Sequence, residues 1–375
     1  MRLNLKNTPE QVELIKAMGS KDYTVAREAA EAFAAFLGPV VQQVLSQAGT
    51  ASAIYTDAPY DEDDAPSYPL DLYYNDYDNM VSVVSQSIAG GLPTSHVEGM
   101  KELKISTYRL DSAVSLLRRY ARRGRLDVVS KATERMAQEI LVKQERNAWA
   151  VVLKALGEGS HGGNKHVIAA TTESVFQLDD LNRLMTRMRR LNESFANGSP
   201  DSAYSNGVTD LYLSPEMMQQ VRGFAYQPMN TRAGSTGSGS DTSTSIALPD
   251  NVRDGIFRAA GTQELYGINL VEMNEFGTGK KYNKLFDEFD SGNIAPDGSG
   301  GAHAFVEASD EILVGVDNSK GAFIRPVAQQ HESNGSFTAL ADDQWSVRSE
   351  KLGFYGFLEE GRVCIDSRAV VGIAV

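Results

Sequence analysis

The chain has 375 residues, a formal net charge of -13 and a hydrophobic fraction of 42%, so it can build a sizeable core but carries no overall basic footprint for nucleic acid. A single cysteine, Cys364, excludes an internal disulfide framework. No apolar run reaches the length of a membrane span, and the opening MRLNLKNTPEQVEL lacks the apolar segment of a secretory signal, which points to a protein made in the cytosol.

The first elements are helical. Thr8-Pro9-Glu10 supplies a cap, a proline at the first helical position and an acid in the first turn, so a helix is expected over 9–18, ending at Gly19. A second helix is expected over 24–37, broken by Gly38-Pro39, with a third short one running to Ser46. These helices hold few large apolar residues, so they read as an arm that lies on something else. Residues 50–79 then change character: Asp57, Asp61, Glu62, Asp63, Asp64, Asp71, Asp76 and Asp78 alternate with Tyr55, Tyr60, Tyr68, Tyr73, Tyr74 and Tyr77. The acids do not follow the order of a calcium-binding loop. Tyrosine brings buried area and a polar tip to a contact surface, so this stretch reads as an extended arm docked on a basic partner surface.

Residues 80–88 and 103–110 alternate as strands around the turn Gly90-Gly91-Leu92-Pro93 and form a long hairpin that also carries Lys101 and Lys104. A lone hairpin is marginal in water and needs a neighbour. The arginines Arg118, Arg119, Arg122, Arg123 and Arg125 follow. Such a cluster can contact phosphates, but guanidinium forks also pair well with carboxylates. The acidity of the chain favours the second reading, with the acids of the arm as partners on this copy or a neighbouring one.

Residues 127–156 contain no glycine or proline, and Val129, Met136, Ile140, Ala148, Val152 and Ala155 recur at helical spacing. Asp127 stands where an N-cap or first-turn acid belongs, and Gly157 where a helix ends. Such a helix is roughly 45 Å long. It is either a core helix of a large enzyme domain or a spine crossing a flat subunit with a sheet on one side.

In the second half, His161 and His166 sit in a glycine-rich connection without the spacing of a metal site. A helix is expected over 178–195, and a strand leading into a helix capped by Ser214 and Pro215. A low-complexity linker over 233–245, a short helix over 249–260 and a buried strand over 265–274 follow. Gly277-Thr278-Gly279-Lys280-Lys281 lacks the first glycine and the final hydroxyl of a phosphate loop. Asp287, Asp290, Asn293 and Asp297 read as solvated turn residues rather than a cation site. Strands are expected over 311–317, 322–327, 344–358 and 363–375, with Glu359-Glu360-Gly361 as the turn of the last hairpin and Cys364 as a small buried residue.

No nucleophile elbow, zinc cluster, P-loop or dinucleotide fingerprint is found, so no residue is assigned a catalytic, cofactor-binding or metal-binding role. The order of parts, in contrast, is distinctive. The run YRLDSAVSLLRRYARRGRLDVVSKATERMAQEILVKQERNAWAVVLKAL, the strand and helix DLYLSPEMMQQVR, the strand LYGINLVEMN and the ending LGFYGFLEEGRVCIDSRAVVGIAV resemble the major capsid protein of tailed bacteriophages, an α+β protein of the Hong Kong 97-type fold.

The resemblance covers most of the chain and implies a division of labour. Residues 1–79 would be the N-terminal arm, 80–125 the extended hairpin loop, 126–170 and 326–375 the peripheral domain with its spine helix, and 171–325 the axial domain. It further implies self-assembly into hexamers and pentamers of an icosahedral head around double-stranded DNA, without sequence-specific binding and without a membrane. The virion would be assembled in the host cytoplasm with separate scaffold, portal and decoration proteins. Some relatives weld subunits through a lysine–asparagine bond; no asparagine follows Asn334 here, so locking is expected to be non-covalent. The expected intersubunit contacts are Arg118, Arg119, Arg122, Arg123 and Arg125 with Asp57, Asp61, Glu62, Asp63 and Asp64, plus Tyr73, Tyr74, Lys101 and Lys104. Two alternatives share these features: an encapsulin-type protein compartment, and an ordinary α/β enzyme.

Overall fold

A computed structural model describes residues 9–47, 49–61, 63–69, 102–161, 164–172, 174–191, 207–224, 263–289, 305–329, 337–342 and 351–375. The chain divides into two compact units, Met1–Tyr73 with Val81–Trp149 and Phe323–Val363, and Tyr74–Met80 with Ala150–Ala322 and Cys364–Val375.

The first unit opens with α1 (Pro9–Met18) and α2 (Tyr23–Gln47). Pro39 lies inside α2 instead of ending it. An interior proline removes a backbone hydrogen bond and costs about 3 kcal/mol. Packing offsets that cost, because Leu37 and Val41 on either side of the proline are both buried in apolar clusters. Strand β1 (Thr56–Asp61) follows, then the short pair β2 (Ser67–Pro69) and β3 (Glu102–Lys104). The strand expected over 103–110 is interrupted at 105–107, where the Ile105 amide donates to the Pro66 carbonyl, and restarts as β4 (Tyr108–Leu117). Seven residues separate the expected end from the observed one, because the run SAVSLL keeps alternating past Leu110. The first strand of the expected hairpin and its turn lie outside the described residues.

A short α3 (Arg118–Arg122) leads into α4 (Leu126–Glu158), the long helix expected from the sequence. Its 33 residues span about 50 Å. The last strands of this unit are β12 (Phe323–Gln329), β13 (Phe337–Asp342), β14 (Lys351–Glu360) and β15 (Val363–Cys364). Strand β14 is the axis of the sheet. It pairs antiparallel with β4 from Lys351↔Leu117 to Glu360↔Tyr108, and with β13 from Gly353↔Asp342 to Leu358↔Phe337. Its far end meets β12 at Glu360↔Val327, and β1 runs parallel to β12 from Thr56↔Ile324 to Asp61↔Gln329.

Strict alternation along β14 decides which face is covered. Leu352 and Phe354 pack with Phe33, Leu37 and Val129, and Leu358 packs with Val41, Met136, Ile140 and Phe337. Each such side chain contributes about 1.5–3 kcal/mol of burial. Glu359 and Glu360 belong to this strand, not to the expected turn, and β15 pairs with β12. The physical reason is that the Glu360 carboxylate is held in the interior by cationic partners, described below.

In the second unit a sheet has the order β7 (Val167–Ala169), β16 (Val370–Ala374), β11 (Ile312–Val316), β8 (Asp210–Leu213), β10 (Ile268–Glu272) and β9 (Gln263–Leu265). Strands β11 and β16 are buried throughout. The helix α5 (Leu178–Leu191) presents Leu181, Leu184, Met188 and Leu191 to the core formed with Leu211, Leu313 and Ile373. Helix α6 (Pro215–Gly223) begins as expected, with Ser214 Oγ accepting from the Met217 amide at 3.1 Å. The expected single strand over 265–274 is a hairpin. Tyr266 and Gly267 both have positive φ, 54° and 78°, as a two-residue type I′ turn requires. Helix α7 (Lys281–Phe289) was not expected from the sequence; Tyr282 and Phe286, one turn apart, are buried against Phe276 and Phe305. Residues 160–165 form a small hairpin of β5 (Ser160–His161) and β6 (Asn164–Lys165). The final run over 363–375 is divided by a 3-10 turn, Ser367–Ala369. The linker at 233–245 and the helix at 249–260 lie outside the described residues. Among the described residues no helix is long and apolar enough to cross a membrane.

Candidate assembly surfaces

The acidic arm leaves a fixed anchor. The Glu145 carboxylate of α4 accepts from the Ala51 amide at 2.9 Å and from the Thr50 hydroxyl, and the Tyr55 hydroxyl donates to the Ala148 carbonyl at 2.9 Å. From there β1 runs out along β12, with Asp61, Asp63 and Asp64 exposed. Asp57 has a partner within the chain: Arg325 Nη1 lies 3.3 Å from its carboxylate. Glu62, Tyr73, Tyr74 and Lys101 lie outside the described residues, and Lys104 is exposed on β3.

The arginine cluster sits on and just after α3. Arg118 is buried, whereas Arg119, Arg122, Arg123 and Arg125 are exposed. Arg119 lies over the Tyr120 ring at 5.1 Å, and Arg122 Nε donates to the Gly19 carbonyl at 3.0 Å. The helix stops at Gly124, whose φ of +61° lets the Arg125 amide reach back to the Tyr120 carbonyl. Four cationic side chains thus project from a short, well-anchored turn.

The residues that sequence reasoning missed lie at the end of β14. Glu360 is fully buried. One carboxylate oxygen, Oε1, accepts from the Tyr108 hydroxyl at 2.8 Å; the other, Oε2, accepts from Arg325 Nε at 2.9 Å and Gln144 Nε2 at 3.0 Å. Arg362 Nη2 lies 3.4 Å from Oε2, with its guanidinium over the Tyr55 ring at 4.6 Å. Burial, and then the Glu360 charge, hold the Tyr108 hydroxyl well above the ordinary tyrosine range, so it stays a donor. The sequence did carry a signal for this site. Glu360 shares the parity of Leu352, Phe354 and Leu358, so the strand pattern aims it inward.

The opposite face of the same sheet is polar and aromatic. The Arg109 guanidinium stacks 3.9 Å from the Phe357 centroid, donates to Asp111 at 2.7 Å and donates to the Tyr355 hydroxyl at 2.8 Å. Tyr355, then Arg109, hold the Asp111 carboxyl below the usual carboxylate range. Among the described residues there is no group of three or more histidine, cysteine, aspartate or glutamate side chains that could hold a metal.

No protein-family model matches the sequence, and no curated protein is similar to it in sequence. The structure does have relatives. The capsid of the cyanophage P-SCSP1u matches with a TM-score of 0.51 at 11% identity, over 85% of this chain and 86% of that one. The fold is that of a bacteriophage capsid subunit. This is the α+β, Hong Kong 97-type arrangement, reached at an identity too low for sequence comparison to detect. The capsid of a native GTA particle matches at 14% identity over 87% of this chain and 90% of that one, with a TM-score of 0.49. A holo-encapsulin complex from Synechococcus elongatus matches at 10% identity over 85% and 84%, with a TM-score of 0.42.

Proposed function

We propose that this chain is the major capsid protein of a tailed bacteriophage, a structural protein without enzymatic activity that assembles into hexamers and pentamers of an icosahedral head. The observation that carries this reading is the capsid fold running through most of the chain, in both units. In this reading the loop expected over 80–125 is laid on an adjacent subunit only up to residue 107, because Tyr108–Leu117 pairs with β14 of its own unit; 171–325 is the axial domain, and the head encloses double-stranded DNA without reading its sequence. An acidic subunit suits that task, because a net charge of -13 limits adhesion to the packaged polyanion. Scaffold, portal and decoration proteins are separate chains, and the shell is locked without a covalent weld.

The contacts proposed between copies follow from charge. Arg119, Arg122, Arg123 and Arg125 of one copy face Asp61, Glu62, Asp63 and Asp64 of the next, with Tyr73, Tyr74, Lys101 and Lys104 near the same joint. Asp57 is engaged with Arg325 and Arg118 is buried, so both serve the subunit itself. A head-to-tail pairing of unlike patches produces closed rings when the rotation closes. Individual exposed ion pairs contribute only about 0–1 kcal/mol, but a shell repeats them in every subunit.

The test is the cargo. Particles purified from infected cells and treated with nuclease should release protected double-stranded DNA. Particles filled with a folded enzyme and no DNA would replace this reading with that of a protein compartment.

A further inference from the structure

We infer that Glu360 is a coupling latch, through which the order of the acidic-arm strand β1 and the order of the hairpin strand β4 depend on each other. The inference concerns the single subunit and does not rest on the proposed function. Strands β1 and β4 are not paired with each other; each is paired to a different strand, β12 and β14. Two carboxylates link them: Glu359 at the surface, which accepts from Tyr60 of β1 and from Thr107 just before β4, and Glu360 in the interior, which is the one argued here. Glu360 Oε1 is held by Tyr108 at the start of β4, and Oε2 by Arg325 from β12 and Gln144 from α4. Arg325 then reaches outward with Nη1 to Asp57 on β1.

Charge makes this arrangement a latch. Two guanidinium groups, Arg325 and Arg362, are almost wholly buried beside one buried carboxylate. One positive charge is therefore left over in the interior. Asp57 supplies the balancing charge from the exposed side, at 57% side-chain exposure. The Arg325 side chain must keep its fork aimed both ways, inward at Glu360 and outward at Asp57, and a planar guanidinium fixes the two directions relative to each other. Losing the Tyr108 hydroxyl leaves Oε1 with only the 3.5 Å contact to Arg362 Nη2, so the carboxylate can turn, which moves the Arg325 fork and weakens its hold on Asp57. By linkage the reverse must hold: weakening Asp57 loosens the Glu360–Tyr108 contact by the same factor.

The anchor of the arm explains why β1 is the responsive part. Residues 50–55 are tied to α4 through Glu145 and Ala148, so the arm cannot leave as a whole. Beyond that anchor β1 is an outer strand with mostly exposed side chains, held by its ladder on β12, by Arg325 and by the Tyr60–Glu359 hydrogen bond.

The experiment is hydrogen–deuterium exchange on the full chain in its native assembly. Tyr108→Phe removes only the hydroxyl, and the readout is the amides of 56–61, on a strand that is not paired with β4. Exchange there should quicken by roughly twofold or more, the low end of the coupling expected for members of one hydrogen-bond network. Asp57→Asn, a surface change that keeps the fold, should quicken the amides at the Tyr108 end of β4 by a similar factor. Tyr355→Phe is the control, because its hydroxyl bonds to Asp111 and Arg109 on the opposite face of the sheet; it should leave 56–61 unchanged. Faster exchange confined to the mutated strand in both variants would overturn the inference, and so would an equal effect from Tyr355→Phe.

Discussion

Replacing Glu360 with glutamine keeps the size of the side chain and removes its charge. In the wild type the carboxylate faces Arg325 Nε at 2.9 Å, Gln144 Nε2 at 3.0 Å and Arg362 Nη2 at 3.4 Å, all donors. Glutamine can keep its oxygen toward these three donors by turning its NH2 group to the Tyr108 hydroxyl, which can accept, so what is lost is the charge. The two guanidiniums, each under a tenth exposed, lose their interior counter-charge. Breaking a buried ion pair from one side costs about 3–5 kcal/mol, against a total stability of about 5–15 kcal/mol for a folded domain. Urea unfolding at one fixed protein concentration, followed by tryptophan fluorescence, measures the loss; Trp149 is buried in the first unit and reports on it. With a slope of about 2–3 kcal/mol/M the midpoint should fall by about 1–2.5 M. The triple substitution Arg325→Met, Glu360→Leu and Arg362→Met should recover part of this, because apolar residues of similar volume then replace all three buried ions at little cost. A Glu360→Gln midpoint within about 0.3 M of wild type would refute the burial of an ion cluster at the end of β14.

Three further outcomes are expected. Gly356→Ala places a methyl group 2.5 Å from the buried Phe337 ring and should lower stability by about 1–3 kcal/mol in a thermal melt, the usual cost of overpacking. Burial first, then the nearby Glu216, hold the Glu311 carboxyl above its ordinary value of 4.5, opposed by hydrogen bonds from Ser214 and the Thr278 backbone. A raised folded-state value means the stabilisation is full below the unfolded value and is lost as pH rises through the folded one. Melting temperatures between pH 4 and 7 should therefore show a loss in wild type that is smaller in Glu311→Gln, and equal profiles would contradict this. Charge reversal at Arg119 and Arg123 should abolish particles seen by sedimentation while leaving the circular dichroism of the subunit unchanged. These two are chosen because Arg122 also holds Gly19.

Some of this was legible in the sequence for physical reasons. The long helix announced itself by thirty residues of uninterrupted apolar periodicity, and the α6 start by a serine cap followed by proline. Pro39 misled because local penalty is visible in sequence and the compensating burial of Leu37 and Val41 is not. Strand β13 was missed because it is short and turns Leu340 outward. Helix α7 carried a usable signal in Tyr282 and Phe286, one turn apart, hidden behind the glycines before it. For the candidate site, nearness in sequence suggested that the arm acids pair with the arginines downstream. Asp57 pairs instead with Arg325, 268 positions away, a distance that no spacing rule bridges.

The central claim is that this subunit closes into a shell with copies of itself. Sedimentation of the purified chain, with the fast fraction viewed by negative-stain electron microscopy, tests it directly. The account predicts hollow, isometric particles built of rings of five and six. A single slow species, unchanged across concentration, would contradict it.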